Sequence, residues 1–548
     1  MDKPVLDYEP TMPNAIHRAA DRFGDRDFIV MPDRRMTFAE AESASRRVAK
    51  EMLARGIGKG TRVGIQFSYS TDWVVAFFAA TRIGAICLPM SSVYRPAELR
   101  KTVVHGDVDT LIVPRVLVGK EHLSYVAEAF SWLNDSGASP HWSPDAPFLR
   151  RIWVAGDPSD DLPVWAESID LRADAVSDLA DEVSDELLLA IEAQVTPSDR
   201  ICIIHTSGTT GSPKGVIHTH GGFLRHSENL SKFHSLTEDF VQFSGLPWFW
   251  IGGLVLSIGQ GLVRGFRLVC LEKFENGPAL DLVIAEKPHQ IGMWGQLGQR
   301  FRQYVDSTGR DVSMVPAFAP RPGGPVDPEL MHNSLGQTES LGPHTAPGPE
   351  AGLLLDERHR GSFGLRVPHV EHRIVDPVTG DDIAPGEEGE VIVRGYSISD
   401  GLYKLERDEA FDDDGWLHTG DLGFFRDGYL FFNGRSTEMI KTLGSNVAPR
   451  EVEVVLEEFD EVGLAIVIGL DDPDKGQIVA AALVPKPGTT FELDAVRAHA
   501  AKQLSSYKVP HHMIVVESDE LPMLGSGKPD KLTLRRFLEE TLKSAVSG

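Results

Sequence analysis

Residues 205–220, with the sequence HTSGTTGSPKGVIHTH, concentrate glycine, hydroxyl side chains and one lysine between two apolar stretches. Glycine lets backbone N–H groups approach phosphate oxygens, hydroxyl groups add donors, and a lysine adds a full positive charge. This combination predicts a phosphate-binding loop. The candidate phosphate-binding residues of this loop are Thr206, Ser207, Gly208, Thr209, Thr210, Gly211 and Lys214.

The spacing in this loop differs from that of a Walker A loop, in which glycine, lysine and serine or threonine are adjacent. Here Ser212 and Pro213 separate Gly211 from Lys214, and Gly215 follows the lysine. An apolar strand precedes the loop, and a helix is predicted from about Gly221. We therefore expect a strand–loop–helix unit in which the helix N-terminus adds a dipole that favours phosphate.

The segment TSGTTGSPKG resembles the phosphate loop of the adenylate-forming superfamily, which contains acyl-CoA synthetases, luciferases and stand-alone adenylation domains. Four further segments resemble motifs of this superfamily and follow in its order along most of the chain. They are GQTES at 336–340, GWLHTGDLG at 415–423, GRSTEMIKTLGSNVAPREVE at 434–453 and LGSGKPDKLTLRRF at 524–537.

This resemblance implies roles for individual residues. Asp421 would bind both ribose hydroxyls of ATP, for which a carboxylate offers two acceptors, and Arg435 would also contact the ribose. Gly336, Gln337 and Thr338 would contact the nucleotide. Thr338 would also reach phosphate, and Glu339 would help to hold Mg²⁺, which prefers oxygen ligands. Lys528, on the loop of the C-terminal segment, would be the catalytic lysine, with Thr338 and Glu339 assisting it.

The resemblance also implies two half-reactions. A carboxylate attacks the α-phosphate of ATP and pyrophosphate leaves; a thiol such as that of CoA then attacks the acyl-adenylate and AMP leaves. Two anions must meet in the first step, so charge neutralisation and positioning are the main tasks of the site. In the superfamily, the C-terminal domain rotates between the two steps.

The segment GLPWFWIGGL at 245–254 indicates the acid-binding site. It is apolar, and Gly252 and Gly253 are expected to leave room for a fatty or bulky ring-bearing acid. Trp250 stands where acyl-CoA synthetases commonly have a histidine, and it could either gate the acyl pocket or pack in the core. Leu335, which replaces the usual aromatic residue before Gly336, is expected to make an apolar contact here, as is Gly336.

Two further differences from the superfamily concern the hinge and the segment before GQTES. Thr437 stands where Asp or Lys is common. The segment at 311–335 is shorter than in the superfamily, because most of a helix and a strand that the superfamily normally has there is missing. Gly323, Gly324 and Pro325 in this segment resemble the adenine-binding turn.

Alternating helix and strand patterns before residue 360 predict a doubly wound, mostly parallel α/β fold. Short strands between Gly, Pro and Asp turns at 361–433 predict an added β-barrel-like part. The rest has the pattern of a small, mobile α+β domain. We therefore expect an N-terminal adenylation domain at 1–434 and a C-terminal lid domain at 435–548.

Composition narrows the class of protein. The net charge of −26 argues against binding to nucleic acids and to anionic membranes. Three cysteines in apolar stretches, with neither a signal-peptide pattern nor a long apolar run, predict buried thiols in a cytoplasmic protein without membrane spans. His205, His218 and His220 lack acidic or cysteine partners at ligand spacing, so we expect no zinc site. A homodimer is conceivable.

The sequence therefore predicts an ATP- and Mg²⁺-dependent acid–thiol ligase that joins a hydrophobic carboxylic acid to CoA through an acyl-AMP intermediate. One alternative is an adenylating enzyme that passes the acyl group to a carrier-protein thiol or an amine. Another is a nucleotide- or acyl-binding homologue without catalysis, given Leu335, Trp250 and the short segment at 311–335.

Overall fold

The computed structural model describes most of the 548 residues of the chain. The described ranges are 3–156, 161–207, 213–293, 295–319, 330–348, 354–435, 438–442, 445–447, 449–472, 475–504, 507–523 and 529–546.

The strands, in chain order, are β1 Asp27–Val30, β2 Arg35–Thr37, β3 Arg62–Ile65, β4 Ile86–Pro89, β5 Thr110–Pro114, β6 Val116–Leu117, β7 Lys120–Glu121, β8 Arg151–Ala155, β9 Glu167–Ile169, β10 Arg200–Ser207, β11 Pro213–Thr219, β12 Val241–Ser244, β13 Arg267–Val269, β14 Gln290–Gly292, β15 Leu335–Gln337, β16 Gly342–Ala346, β17 Leu365–Arg366, β18 Val370–Val375, β19 Gly389–Gly395, β20 Gly401–Leu402, β21 Leu417–Arg426, β22 Tyr429–Arg435, β23 Ile440–Thr442, β24 Ser445–Val447, β25 Val462–Asp472, β26 Gly476–Pro485 and β27 His512–Val515.

The α-helices are α1 Met12–Phe23, α2 Phe38–Ala54, α3 Thr71–Arg82, α4 Pro96–His105, α5 Leu123–Ala129, α6 Asp178–Asp181, α7 Asp185–Glu192, α8 His220–Phe233, α9 Ile251–Gly253, α10 Gln260–Arg264, α11 Asn276–Glu286, α12 Gly295–Thr308, α13 Pro449–Glu457, α14 Leu493–Gln503 and α15 Lys531–Val546. A π-helical turn at Leu254–Gly259 joins α9 to α10, and short 3₁₀ turns lie at Ser131–Asp135, Pro316–Phe318, Thr338–Ser340, Glu357–His359 and Arg407–Glu409. No helix in the described ranges has the length and apolar character needed to cross a membrane.

The chain divides into two compact units. The first contains Met1–Glu371 and Val393–Leu417, and the second contains His372–Ile392 and His418–Gly548. The boundary at 434/435 expected from the sequence stays a prediction.

Two largely parallel sheets form the frame of the first unit. One has the strand order β14-β12-β13-β1-β2, and the other has the order β20-β11-β10-β4-β3-β5-β8-β9. Helices alternate with these strands because apolar residues recur at helical spacing between them. Helix α2 shows how local sequence starts a helix: Thr37 and Glu40 form a reciprocal capping box at its first turn. The predicted α/β class is confirmed.

The strand–loop–helix expectation at the phosphate loop is wrong in one respect. The chain leaves the loop as β11, which pairs antiparallel with β10, and α8 begins only at His220. Seven residues of strand therefore separate the loop from the helix. The adjacent β-branched residues Val216 and Ile217 favour this strand, and the N-terminal dipole of α8 lies too far along the chain to act on the loop.

The second unit contains the hairpin of β21 and β22 and an α+β segment after it. In that segment the strand order is β24-β23-β26-β25, with β27 parallel to β26. Apolar residues cover both faces of the long β25–β26 hairpin: α13 and α14 pack on one face and α15 on the other. This agrees with the predicted small α+β domain.

An ion pair lies at full burial inside the first unit. Arg82, at the end of α3, donates from Nε to Glu192 Oε1 at 2.6 Å and from Nη1 to Ser45 Oγ at 3.0 Å, and it also contacts Glu42. Burial opposes ionisation of Glu192, but hydrogen bonds from His17 and Arg82 hold its pKa below its usual value. Arg82 thus links α2, α3 and α7 through groups that cannot be left unpaired.

Replacing Arg82 with Met removes the guanidinium that pairs with the buried Glu192. This should destabilise the first unit by about 3–5 kcal/mol. Calorimetry should show the melting transition of this unit falling by several degrees. Arg310→Met is the matched control, because Arg310 pairs with Asp281 at the surface and should contribute less than about 1 kcal/mol. Equal melting temperatures for the two variants would contradict this account.

Candidate functional site

The hairpin of β10 and β11 carries the predicted phosphate loop. Thr206 lies opposite Lys214 and Ser207 opposite Pro213, so the loop leaves and re-enters the sheet at neighbouring positions. Gly208, Thr209, Thr210 and Gly211 lie outside the described residues. Lys214 is half-buried and makes no ion pair with a carboxylate in the described part of the chain, so its charge is available to an anion at the loop.

The GQTES residues form a tight turn between two antiparallel strands. Gly336 and Gln337 end β15, Thr338 and Glu339 lie in a 3₁₀ turn, and the buried Ser340 ties the turn together. Ser340 Oγ donates to the carbonyl of Gly342 at 2.7 Å and accepts from the amide of Gln337 at 3.1 Å. The turn therefore holds Thr338 and Glu339, both half-buried, in a fixed backbone.

A strap at Ser399–Leu402 connects this turn to the hairpin. The amide of Ser399 donates to the carbonyl of Glu339 at 2.8 Å, and the next amide, that of Asp400, donates to the carbonyl of Ile217 on β11 at 2.9 Å. The strand β20 then pairs with β11. The metal-ligand candidate and the phosphate-loop strand are thus held by two successive peptide groups, a relation that no spacing in the sequence revealed.

Asp421 and Arg435, the two ribose candidates, face each other across the β21–β22 hairpin of the second unit. They are register partners, and Arg435 Nε donates to Asp421 Oδ1 at 2.9 Å. Asp421 is buried and Arg435 is exposed. The arginine neutralises the buried carboxylate and holds it in one orientation.

The buried Glu390 holds the backbone before Asp421. Its carboxylate accepts from the amide of Gly420 at 3.0 Å and contacts His418 Nδ1 at 2.9 Å, while Thr419 Oγ1 donates to the carbonyl of Val391. Sequence reasoning missed Glu390, because it lies 31 residues before Asp421 and only the pairing of strands brings them together.

The acid-binding candidates lie where β12 ends and α9 begins. Trp250 is half-buried, with its ring against Phe249 at a centroid distance of 5.2 Å. Gly253 is buried, and a Cβ there would overlap the carbonyl oxygens of Leu246 and Pro247. The absence of a side chain at Gly253 thus serves backbone packing, whereas the sequence suggested room for the acid. Gly252 is also buried.

Leu335 is half-buried on β15, opposite Thr345 on β16, and Gly336 next to it is exposed. A Cβ at Gly336 would overlap the carbonyl oxygen of Gly342. The two strands therefore approach each other too closely for any other residue at this position.

Lys528, Thr437 and the turn at Gly323–Pro325 lie outside the described residues. On either side of the Lys528 segment, Met523 and Pro529 form a β-bridge, and the amide of Asp530 donates to the carbonyl of Pro522 at 2.8 Å. The chain therefore enters and leaves this segment at one place in the second unit.

Four imidazoles near the loop are buried: His205, His218, His220 and His226. Burial lowers the pKa of each to about 3, so all four are neutral at pH 7. Across the described ranges, no group of three or more His, Cys, Asp or Glu residues could hold a metal ion. The thiols of Cys87, Cys202 and Cys270 are free and buried, as predicted, and burial raises their pKa values.

The fold is that of an α/β protein with a second, C-terminal unit. The model of the AMP-binding enzyme family matches residues 16–403, and that of the AMP-binding enzyme C-terminal domain matches residues 451–528. The chain belongs to the AMP-binding enzyme family, so the resemblance seen in the motifs is confirmed.

Relatives match along nearly the whole chain. A putative acyl-CoA synthetase of Bacillus subtilis strain 168, YngI, is 28% identical over 544 residues, which cover 96% of each chain. The 4-coumarate–CoA ligase 3 of Oryza sativa subsp. japonica is 28% identical and covers 93% of this chain and 89% of its own. The prediction of an acid–thiol ligase is confirmed at this family level.

A solved structure supports the fold. The anthranilate CoA ligase AuaEII, in complex with anthranoyl-AMP, superimposes with a TM-score of 0.79 at 22% identity and covers 97% of this chain and 98% of its own. The predicted two-domain α/β architecture is therefore confirmed.

The buried histidines predict a pH dependence of stability. A folded-state pKa near 3, below the unfolded value of about 6.5, means that the unfolded chain binds more protons between these two values. The contribution of these neutral histidines to the free energy of unfolding has its full value above pH 6.5. It falls as the pH is lowered towards 3, by up to about 1.4 kcal/mol per pH unit for each such histidine. Calorimetry at pH 7, 6 and 5 should show a progressive fall in melting temperature.

Replacing His226 with Gln should flatten this dependence, because one titrating group is removed. A slope that is the same in wild type and His226→Gln would contradict the assignment.

Replacing Gly336 with Ala should push β15 away from β16 and displace the Thr338–Glu339 turn. We expect a loss of about 1–3 kcal/mol in stability and a fall of about 10–100-fold in turnover. Gly58→Ala is the control, because a Cβ there meets no atom within 4 Å. The prediction fails if Gly336→Ala retains the turnover of Gly58→Ala in the same assay.

Proposed function

We propose that this protein is an ATP-dependent acyl-CoA synthetase that activates a hydrophobic carboxylic acid through an acyl-AMP intermediate and transfers the acyl group to CoA. The observation that carries the proposal is the relationship to proteins named CoA synthetases and ligases over nearly the full length of the chain, both units included. The geometry of the two half-sites supports the same reaction.

The candidate contacts to ATP form two groups of residues, each described within its own unit. In the first unit, the loop after Thr206 and Ser207, together with Lys214, would hold the phosphates. In the second unit, Asp421 would accept both ribose hydroxyls, and Arg435, which already fixes that carboxylate, would complete the contact. The charge on Lys214 suits an anion, because no described carboxylate neutralises it.

Glu339 would hold Mg²⁺. The residues fit this ion, because Glu339 is a half-buried carboxylate whose backbone carbonyl accepts from Ser399, and Thr338 precedes it in the same turn. Mg²⁺ is commonly held by one or two carboxylates together with substrate phosphates rather than by a cage of protein ligands. When bound, the ion would neutralise phosphate charge, and Lys528 would supply further positive charge as the acid approaches the α-phosphate.

The acid would be fatty or bulky and ring-bearing. This part of the proposal rests on the apolar segment around Trp250, in which Leu246, Phe249 and Ile251 are buried and Trp250 is partly open. Leu335 and Gly336 would contribute the facing wall. The half-burial of Trp250 favours a gate over a core aromatic.

The acceptor is tested by supplying ATP, Mg²⁺ and a panel of fatty and aromatic acids, with and without CoA. AMP that accumulates only with CoA, together with an acyl-CoA product, supports the proposal. Acyl-AMP and pyrophosphate without CoA turnover would indicate a carrier-protein thiol or an amine as acceptor. ATP binding without turnover of any acid would indicate a binding homologue.

Lys528→Ala should lower pyrophosphate release by about 100-fold or more, since it removes a charge that stabilises the transition state. Lys531→Ala is the matched control: Lys531 lies three residues away and pairs with Glu438 at 2.7 Å, so adenylation should change by less than about threefold. Equal losses in the two variants would show that general charge, and not Lys528, is responsible.

A further inference from the structure

His205 lies at the base of the phosphate loop. It precedes Thr206 on β10, is 7% exposed, and faces Gly215 on β11. Its Nε2 lies 3.1 Å from Nδ1 of His105, the last residue of α4, and the two rings meet edge to face. The end of the strand from which the loop starts is therefore tied to a helix of the first unit.

Two glycines lie next to the His205 ring in a closely packed region. A Cβ at Gly106 would overlap Leu88 and lie 3.2 Å from His205 Cε1, and a Cβ at Gly215 would lie 2.8 Å from Ile203 Cγ2 and 3.0 Å from Tyr403 Cβ. Neither glycine has a positive φ, so backbone conformation does not require them. Their small size allows the end of α4 and β11 to pack closely around the imidazole.

A closed ring of contacts surrounds this seat. The amide of Tyr403 donates to the carbonyl of Gly215 at 2.7 Å, and its hydroxyl donates to Asp107 Oδ2 at 2.8 Å. Lys404 Nζ donates to the other oxygen of Asp107 at 2.8 Å. Asp107 follows His105 by two residues. The end of α4 therefore contacts β10 directly through His105 and contacts β11 through Tyr403, which binds both Asp107 and Gly215.

The contact between the two histidines is a hydrogen bond between neutral rings. Burial lowers the pKa of His205 to about 3 and also lowers that of His105. Within the described part of the chain, His205 Nδ1 has no hydrogen-bond partner. The bond to His105 is therefore the polar tether of this ring.

We propose that His205, held by His105, is a positioning residue for ATP binding, which fixes the end of β10 at Thr206 and Ser207. This inference rests on the proposed function, because it takes the loop to bind the phosphates of ATP. His205 does not itself touch the nucleotide; it acts through the backbone of β10.

His105→Ala is the first test, because His105 is half-buried at a helix end and its removal should leave the fold intact. The Michaelis constant for ATP should rise about three- to tenfold, the range expected from a buried hydrogen bond, while that for the acid stays within twofold of wild type. His105→Asn, whose amide reaches the place of Nδ1, should restore the wild-type value.

A double-mutant cycle identifies the partner. His205→Gln keeps a polar atom near the place of Nε2 and should be mild, whereas His205→Phe should match His105→Ala. The pair His105→Ala/His205→Phe should be no worse than either alone, since both changes remove one bond. The control is His141→Ala: His141 is equally buried and bonds the carbonyl of Trp165 at 2.8 Å, so stability should fall without a change in the ATP constant.

The inference is overturned if His105→Ala leaves the ATP constant within twofold, if the constants for ATP and acid rise together, or if the double variant shows additive losses. If the wild-type enzyme forms acyl-AMP from none of the acids tested, the proposed function fails separately from this inference. Calorimetric titration with Mg·ATP then decides the inference: a three- to tenfold weaker affinity of His105→Ala supports it, and equal affinity or no binding by wild type overturns it.

Discussion

The antiparallel pairing of β10 with β11 is the constraint that organises the first half-site. A loop that leaves and re-enters one sheet at adjacent positions has its two ends fixed by strand hydrogen bonds, and Thr206 and Lys214 are held opposite each other. A strand–loop–helix unit would fix one end through a helix N-terminus instead. Here the phosphate loop must depend on side chains, its own backbone amides and a rigid hairpin.

Three neighbouring elements act on this hairpin. His105 at the end of α4 contacts His205, and β20 pairs with β11. The amide of Ser399, two residues before β20, donates to the carbonyl of Glu339. Because successive amides of the strap bind Glu339 and Ile217, a shift of the hairpin would also shift the turn that carries the candidate magnesium ligand. The phosphate loop and this turn are therefore mechanically coupled within one unit.

The candidate site carries positively charged side chains although the net charge of the chain is negative. The protein carries a net charge of −26, yet its substrates ATP and a carboxylate are anions. Lys214 has no carboxylate partner among the described residues, and Arg435 neutralises the buried Asp421. The histidines around the hairpin are neutral through burial, so they shape the site without adding to its charge.

The sequence by itself determined the alternation of helices and strands, the family, and the order of the phosphate, ribose and hinge motifs, because these depend on local periodicity and on contiguous residues. Only the tertiary structure decided that the loop returns as a strand, that Gly253 serves backbone packing, and that Glu390 holds the segment before Asp421. It also decided that His105 meets His205 across 100 residues. Such relations depend on which strands pair and which helix end packs against them, and local propensity does not encode these long-range contacts.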